Sequence, residues 1–370
     1  MPRRLETDRW LFLATVALCL IGAVMVFSAS AMTAREQFGS SYHFLLRQSI
    51  WLFAGLAGML LLMNVDYRKF RNPPFLFTSL FTVLLLLVGV FFLDRSHATH
   101  RWIRIGPASL QPSEFAKLVV IFYLAWFLET RIQGHGPGAP GVNDWRHSLL
   151  PAVGPVIALA CLVVFEPDLG TAVQIFIVAF ALLFAAGLSW TYVGGAGAFA
   201  GCSILLLIVD TSYRYQRVVS FLNPTADPQG RGFQLMQSLI AVGSGGLTGV
   251  GLMESKQKLF YLPEASTDFI FAVICEELGF LGAILVLSLF AVYGWRGIRA
   301  ALNAPDTFGR LIALGITVMV ISQALINLGV VLGMMPTKGI PLPFISYGGS
   351  SLLVVLLATG VLLNISQHAD

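Results

Sequence analysis

The sequence predicts an all-α, polytopic membrane protein, and three observations carry that prediction. Only 11% of the 370 residues are charged and 56% are hydrophobic, whereas ordinary soluble domains carry about 25% charged residues. Mean hydropathy is +0.79. Ten apolar runs approach the roughly 20 residues that a helix needs to cross a hydrocarbon core about 30 Å thick. So few ionised groups cannot cover the surface, so lipid must solvate it. Only helices or closed barrels satisfy their backbone in lipid, and these runs are too continuous for barrel strands. The net charge of +4 is dispersed along the chain and gives no reason to expect a nucleic-acid partner.

The runs lie at 10–31, 45–63, 75–93, 115–128, 149–165, 171–187, 192–209, 269–293, 311–335 and 348–365 within one integral membrane domain, 1–370. The first follows Arg3, Arg4 and Arg9 and ends in Ser28-Ala29-Ser30, like a secretion signal. It is longer than a signal's apolar core and many spans follow, so it reads as a retained helix. The fourth is short, so it begins earlier or tilts. The fifth and sixth are joined by a tight turn, Glu166-Pro167-Asp168-Leu169-Gly170-Thr171, whose two carboxylates turn chemistry largely explains. A large loop, 210–268, separates the seventh from the eighth. Pro263 forbids a smooth helix into the eighth. Three prolines, Pro336, Pro341 and Pro343, hold off the tenth until Gly348-Gly349.

Basic residues in the short connections orient the bundle. Arg3, Arg4 and Arg9, then Arg68, Lys69 and Arg71, then Arg296, Arg299 and Arg310 put both termini in the cytoplasm. Arg131 and Arg146 fall on the same side, while other basic residues, among them Arg101, Arg104, Lys117, Lys258 and Lys338, gather with acids near the outer face. Dense charge of both signs suits a site that holds an anionic headgroup and moves a proton. Solvated, paired loop ions would look the same. Cys19, Cys161, Cys202 and Cys275 sit singly in apolar runs and form no disulfide or zinc framework.

The richest stretch is Gln257-Lys258-Leu259-Phe260-Tyr261-Leu262-Pro263-Glu264-Ala265-Ser266-Thr267-Asp268. Ser266 or Thr267 is expected to cap the eighth helix, with Asp268 in its first turn. An Asp there stabilises the helix dipole and needs no other task. Beside Glu264 and amid Phe and Leu it would also be partly desolvated, which makes a carboxylate a stronger base. On an ideal helix Glu276 lies about 80° and Glu277 about 180° around from Asp268; ionisable groups within a span face protein or a wet cavity.

Glu114 and Lys117 are spaced for an intrahelical ion pair or for lining a headgroup cavity, to which Arg101 would offer a bidentate fork for phosphate. Lys338, in a proline-broken loop, places a flexible charge on a phosphate or carboxylate. His97 and His100 have no partner pattern, and nucleotide-binding and hydrolase fingerprints are absent.

Asn327, Gly333-Met334-Met335-Pro336-Thr337-Lys338-Gly339-Ile340 and Phe344-Ile345-Ser346-Tyr347-Gly348-Gly349-Ser350-Ser351 together resemble the C-terminal signature of the SEDS family (shape, elongation, division and sporulation). The resemblance runs the whole chain, through Arg101-Trp102-Ile103, Gln111-Pro112-Ser113-Glu114, Pro167-Asp168-Leu169-Gly170-Thr171 and Leu262-Pro263-Glu264-Ala265-Ser266-Thr267-Asp268-Phe269. Its wording around Lys258 and Lys338 is closer to the division members than to the elongation members. Ser266 departs from the family, which usually has His there.

The resemblance implies a ten-helix fold and polymerisation of lipid II into β-1,4 glycan at the periplasmic face of a bacterial cytoplasmic membrane, with Asp268 as catalytic carboxylate. It also implies a class B penicillin-binding transpeptidase as partner, alongside other divisome or elongasome proteins. Substrate-binding candidates are Arg101, Glu114, Lys117, Glu264, Lys338 and Ser346. A divalent cation, Mg²⁺ or Mn²⁺, would share its task with Asp268; no organic cofactor is expected. Two other classes fit the same residues: a lipid II flippase, with essential polar groups at mid-membrane, and a non-catalytic divisome scaffold.

Overall fold

The computed structural model describes residues 7–94, 101–105, 108–132, 141–195, 197, 201, 219, 221–223, 232–259, 261–337 and 339–369. The helices are α1 (Arg9–Phe38), α2 (His43–Met63), α3 (Pro73–Leu93), α4 (Pro112–Ile132), α5 (Leu150–Phe165), α6 (Leu169–Ala185), α7 (Phe233–Ser244), α8 (Ile270–Leu302), α9 (Thr307–Val331) and α10 (Gly349–His368). Nine of the ten expected spans are therefore helices; the seventh, 192–209, lies largely outside the described residues. The fourth does begin earlier, at Pro112. Among the described residues, seven stretches are long and apolar enough to cross a bilayer, and α4 is kept off that set by its charges while α6 is short. Within the large loop, the described residues include α7. Ile103–Ile105 and Ala108–Leu110 pair as a small antiparallel hairpin before α4, with Ile103 opposite Leu110.

Capping follows local chemistry. Asp8 accepts from the Leu11 N–H at 3.1 Å, and α1 closes on Gly39 in the left-handed region. Asp168 caps α6, and Asp306 caps α9 through the Gly309 N–H at 2.6 Å. The helices α8, α9 and α10 are the most buried of the spans, whereas α2 and α3 present most of their surface outward. At the end of the bundle carrying Asp8, basic side chains meet acids: Arg296 with Asp8 at 2.6 Å, Arg68 with Asp306 at 3.3 Å, and Arg71 with Glu129 at 2.9 Å.

Helix α8 is broken at Gly279, whose φ of 65° and ψ of −162° leave the helical region. The segment between α7 and α8 repairs the break. Val250 and Gly251 donate to the carbonyls of Glu276 and Glu277 at 2.9 and 3.1 Å. Phe280 and Leu281 donate to Gly246 and Leu247 at 2.9 and 3.2 Å. Every bond replaces one that the break would leave open, as backbone at membrane depth requires. The two segments approach so closely that a Cβ on Gly279 would lie 2.7 Å from the Leu247 carbonyl oxygen.

One expectation needs correction here. Neither Ser266 nor Thr267 caps α8: the residue before the helix is Phe269, with no side-chain cap bond, and Asp268 lies one residue further out. The reason is a tight turn in which the Thr267 and Phe269 N–H groups both donate to the Glu264 carbonyl at 3.2 Å. That turn takes Thr267 out of cap position and Asp268 off the helix, so the angular relation expected between Asp268 and Glu276 or Glu277 does not apply.

Candidate active site

Asp268 is half-buried where two irregular segments meet, 262–269 before α8 and 336–348 between α9 and α10. Asn327, near the end of α9, joins them: its Nδ2 donates to the Asp268 carbonyl at 2.7 Å and to the Ile340 carbonyl at 2.8 Å. Ser346 ties them again, its hydroxyl donating to the Thr267 carbonyl at 2.5 Å and accepting from the Leu342 N–H at 2.8 Å. The Tyr347 N–H donates to the Ser266 carbonyl at 2.9 Å. From α2, Gln48 donates to the Ser346 carbonyl at 3.1 Å and accepts from the Gly348 N–H at 3.3 Å. The Asp268 carboxylate lies against Gly339, where a Cβ would come within 3.1 Å of Oδ2.

Below this junction lies a buried polar cluster. Lys117 sits 3.0 Å from Glu114, 3.1 Å from Gln174 Oε1 and 2.9 Å from Gln323 Oε1. Gln323 donates onward to the Pro341 carbonyl at 2.9 Å. The expected Glu114–Lys117 pair thus exists, but fully enclosed and supporting the 336–348 segment from beneath. Gln174, Gln323 and Asn327 are the functional candidates that sequence reasoning left without roles. Their signal was present, since an amide inside an apolar span needs a partner.

Arg101 faces a different neighbour. Its Nε donates to the Glu166 carbonyl at 3.0 Å and its Nη2 to the Pro167 carbonyl, so backbone occupies much of the expected phosphate fork. Glu264 is exposed and accepts from the Thr267 hydroxyl at 2.7 Å. Lys338 lies outside the described residues. Glu166 is a buried acid whose two oxygens have no hydrogen-bond partner among the described residues. Burial, reinforced by Asp168 and opposed by Arg101, pushes its carboxyl up to about 8. Asp168 is the expected turn acid, bonded to Thr171 and, at 3.0 Å, to Gln111.

Among the described residues no three His, Cys, Asp or Glu side chains converge as a metal cage. Asp268 offers one carboxylate. That suits Mg²⁺ or Mn²⁺ only in the mode where substrate phosphates supply further ligands.

Fold and site together define a polytopic helical membrane protein with one half-buried acid clamped between irregular segments at one end of the bundle. The chain belongs to the FtsW/RodA/SpoVE family of cell cycle proteins, whose model matches residues 9–370. It is 42% identical to stage V sporulation protein E of Bacillus subtilis, over 99% of each chain. It is 43% identical to the probable peptidoglycan glycosyltransferase FtsW of Trichlorobacter lovleyi, over 99% of this chain and 94% of that one. Solved structures share the fold. One, described as "Structural coordination of polymerization and crosslinking by a peptidoglycan synthase complex", has a TM-score of 0.78 at 31% identity over 98% of both chains. The rod shape determining protein RodA of Thermus thermophilus has a TM-score of 0.72 at 29% identity over the whole of both chains.

Proposed function

We infer that this protein is a peptidoglycan glycosyltransferase, polymerising lipid II at the periplasmic face of the cytoplasmic membrane with a class B penicillin-binding transpeptidase as partner. The observation that carries the reading is full-length similarity to relatives named as that enzyme. The Asp268 geometry supplies the chemistry. Its half-buried carboxylate is the general base, taking the proton from the 4-hydroxyl of the acceptor sugar. The freed oxygen pair attacks C1 at the lipid-linked end of the growing glycan. The C1–O bond to undecaprenyl pyrophosphate breaks, that pyrophosphate leaves with the electron pair, and C1 inverts to a β-1,4 link. A pyrophosphate needs charge stabilisation more than protonation. Lys338, by its place in the sequence, is assigned that task in preference to the internally paired Lys117 and the backbone-bound Arg101.

An apolar groove of about 400 Å³ between α3 and α4, lined by residues including Phe75, Val83, Leu110, Phe115 and Phe122, suits a polyprenyl tail. Its lining includes Leu110 and Phe115, which flank the start of α4 and so connect it to the site end. The reading is tested with purified protein, its transpeptidase partner and lipid II in liposomes. Long glycan strands are expected. Movement of labelled lipid II between leaflets without polymer would identify a flippase instead, and neither outcome would leave a scaffold.

A further inference from the structure

Two acids and a lysine near the break in α8 are unused by this chemistry. Lys258 Nζ lies 2.7 Å from Glu277 Oε1, with both side chains at least nine-tenths buried. The Ser28 hydroxyl of α1 is 2.7 Å from each Glu277 oxygen and accepts from Lys258 Nζ at 3.1 Å. Glu277 also accepts from the Met253 N–H at 3.1 Å. Its neighbour Glu276 accepts from the Lys256 and Gln257 N–H groups at 2.9 and 3.4 Å and from the Ser255 hydroxyl.

We propose that the Glu277–Lys258 ion pair, sealed by Ser28, is a positioning clamp for Asp268. This rests on the reading of Asp268 as the base. Lys258 and Glu277 stand 19 residues apart, and Asp268 lies between them. The pair therefore closes the Asp268-bearing segment into a non-covalent ring. Gly279 interrupts α8 just beyond Glu277, so the part of α8 that follows Asp268 is severed from the rest of its helix. Its direction is set by the buried packing of residues 270–275 and, at its far end, by what holds residues 276 and 277. Those are the splice to residues 246–251 and the two carboxylates. One residue, Glu277, thus fixes both ends of the ring, and Ser28 anchors it to a third element. Packing alone does not call for a buried ion pair, since apolar residues of similar volume often do as well or better. What the pair adds is a single geometry, and misplacing a reacting group by about 1 Å can cost about 10²-fold in rate.

The test is polymerisation kinetics on lipid II by the full-length protein with its partner. The double variant Lys258→Met/Glu277→Gln removes both charges and leaves neither buried alone. It is expected to unfold near the wild-type temperature and keep KM within about threefold, while kcat falls about tenfold or more. Lys258→Arg, which keeps the charge, should retain most of the rate. A double variant with wild-type kcat overturns the clamp. Loss of kcat only in proportion to loss of folded protein also overturns it, reducing the pair to ordinary stability. Should the double variant fail to fold, Ser28→Ala decides, because it spares the ion pair: lowered kcat at unchanged KM supports the clamp and unchanged kcat overturns it. Asp268→Asn, measured alongside, separates the two ideas. Full activity there refutes the base itself, whatever residues 258 and 277 do.

Discussion

Asn327 holds Asp268 by its backbone: one amide nitrogen donates at 2.7 Å to the carbonyl of the residue proposed as the general base. The same nitrogen reaches Ile340, so one side chain bridges the two irregular segments that Ser346 and Tyr347 also tie. The carboxylate itself lies against Gly339.

Replacing Asn327 with Ala should therefore cost activity beyond stability. Two carbonyls lose their shared donor, worth about 1–3 kcal/mol if left unsatisfied, and Asp268 loses its lateral restraint. We expect a modest fall in melting temperature and a fall in kcat of about tenfold or more. Asn327→Asp, which puts acceptors against two carbonyls, should be worse than Ala. Steady-state kinetics and thermal melting on the same preparations check both.

Lys117 is enclosed with Glu114, Gln174 and Gln323. Lys117→Met leaves the Glu114 carboxylate buried without its cation, a change that costs about 3–5 kcal/mol in comparable pairs. Glu114→Gln combined with Lys117→Met should recover much of that loss. Melting curves of both single variants and the double variant in detergent measure the recovery; a double-variant loss equal to the sum of the two single losses would mean that the pair is not coupled.

Glu166 gives a pH dependence with a definite sign. Its carboxyl is raised from 4.5 to about 8, so the folded protein keeps a proton that the unfolded chain releases. Its contribution to stability is full below pH about 4.5 and is lost as pH rises through about 8. Glu166→Gln stays neutral throughout and should flatten this decline. Melting temperatures of both proteins across that window are the measurement, and identical slopes would remove Glu166 as the cause.

Much of this was legible in the sequence because membrane helices announce themselves by length and apolarity. The acid at 268, the Glu114–Lys117 spacing and the prolines before α10 were equally local signals. What stayed hidden is non-local. Gly279 reads as a tolerated glycine within a long apolar helix. Only the return of residues 246–251 makes its break affordable in lipid, and no periodicity reports that pairing. Thr267 looks like a helix cap until the Glu264 turn takes it away. Arg101 looks like a phosphate fork until the Glu166 and Pro167 carbonyls come within its reach.

The most direct measurement is glycan polymerisation from purified lipid II by Asp268→Asn, co-purified with its transpeptidase partner. The substitution preserves shape and the Asn327 tie to the backbone while removing the proposed base. Polymer formation should fall by about 10²–10⁴-fold with the complex still intact. Strands made at close to the wild-type rate would contradict the assignment of Asp268 as the group that takes the proton.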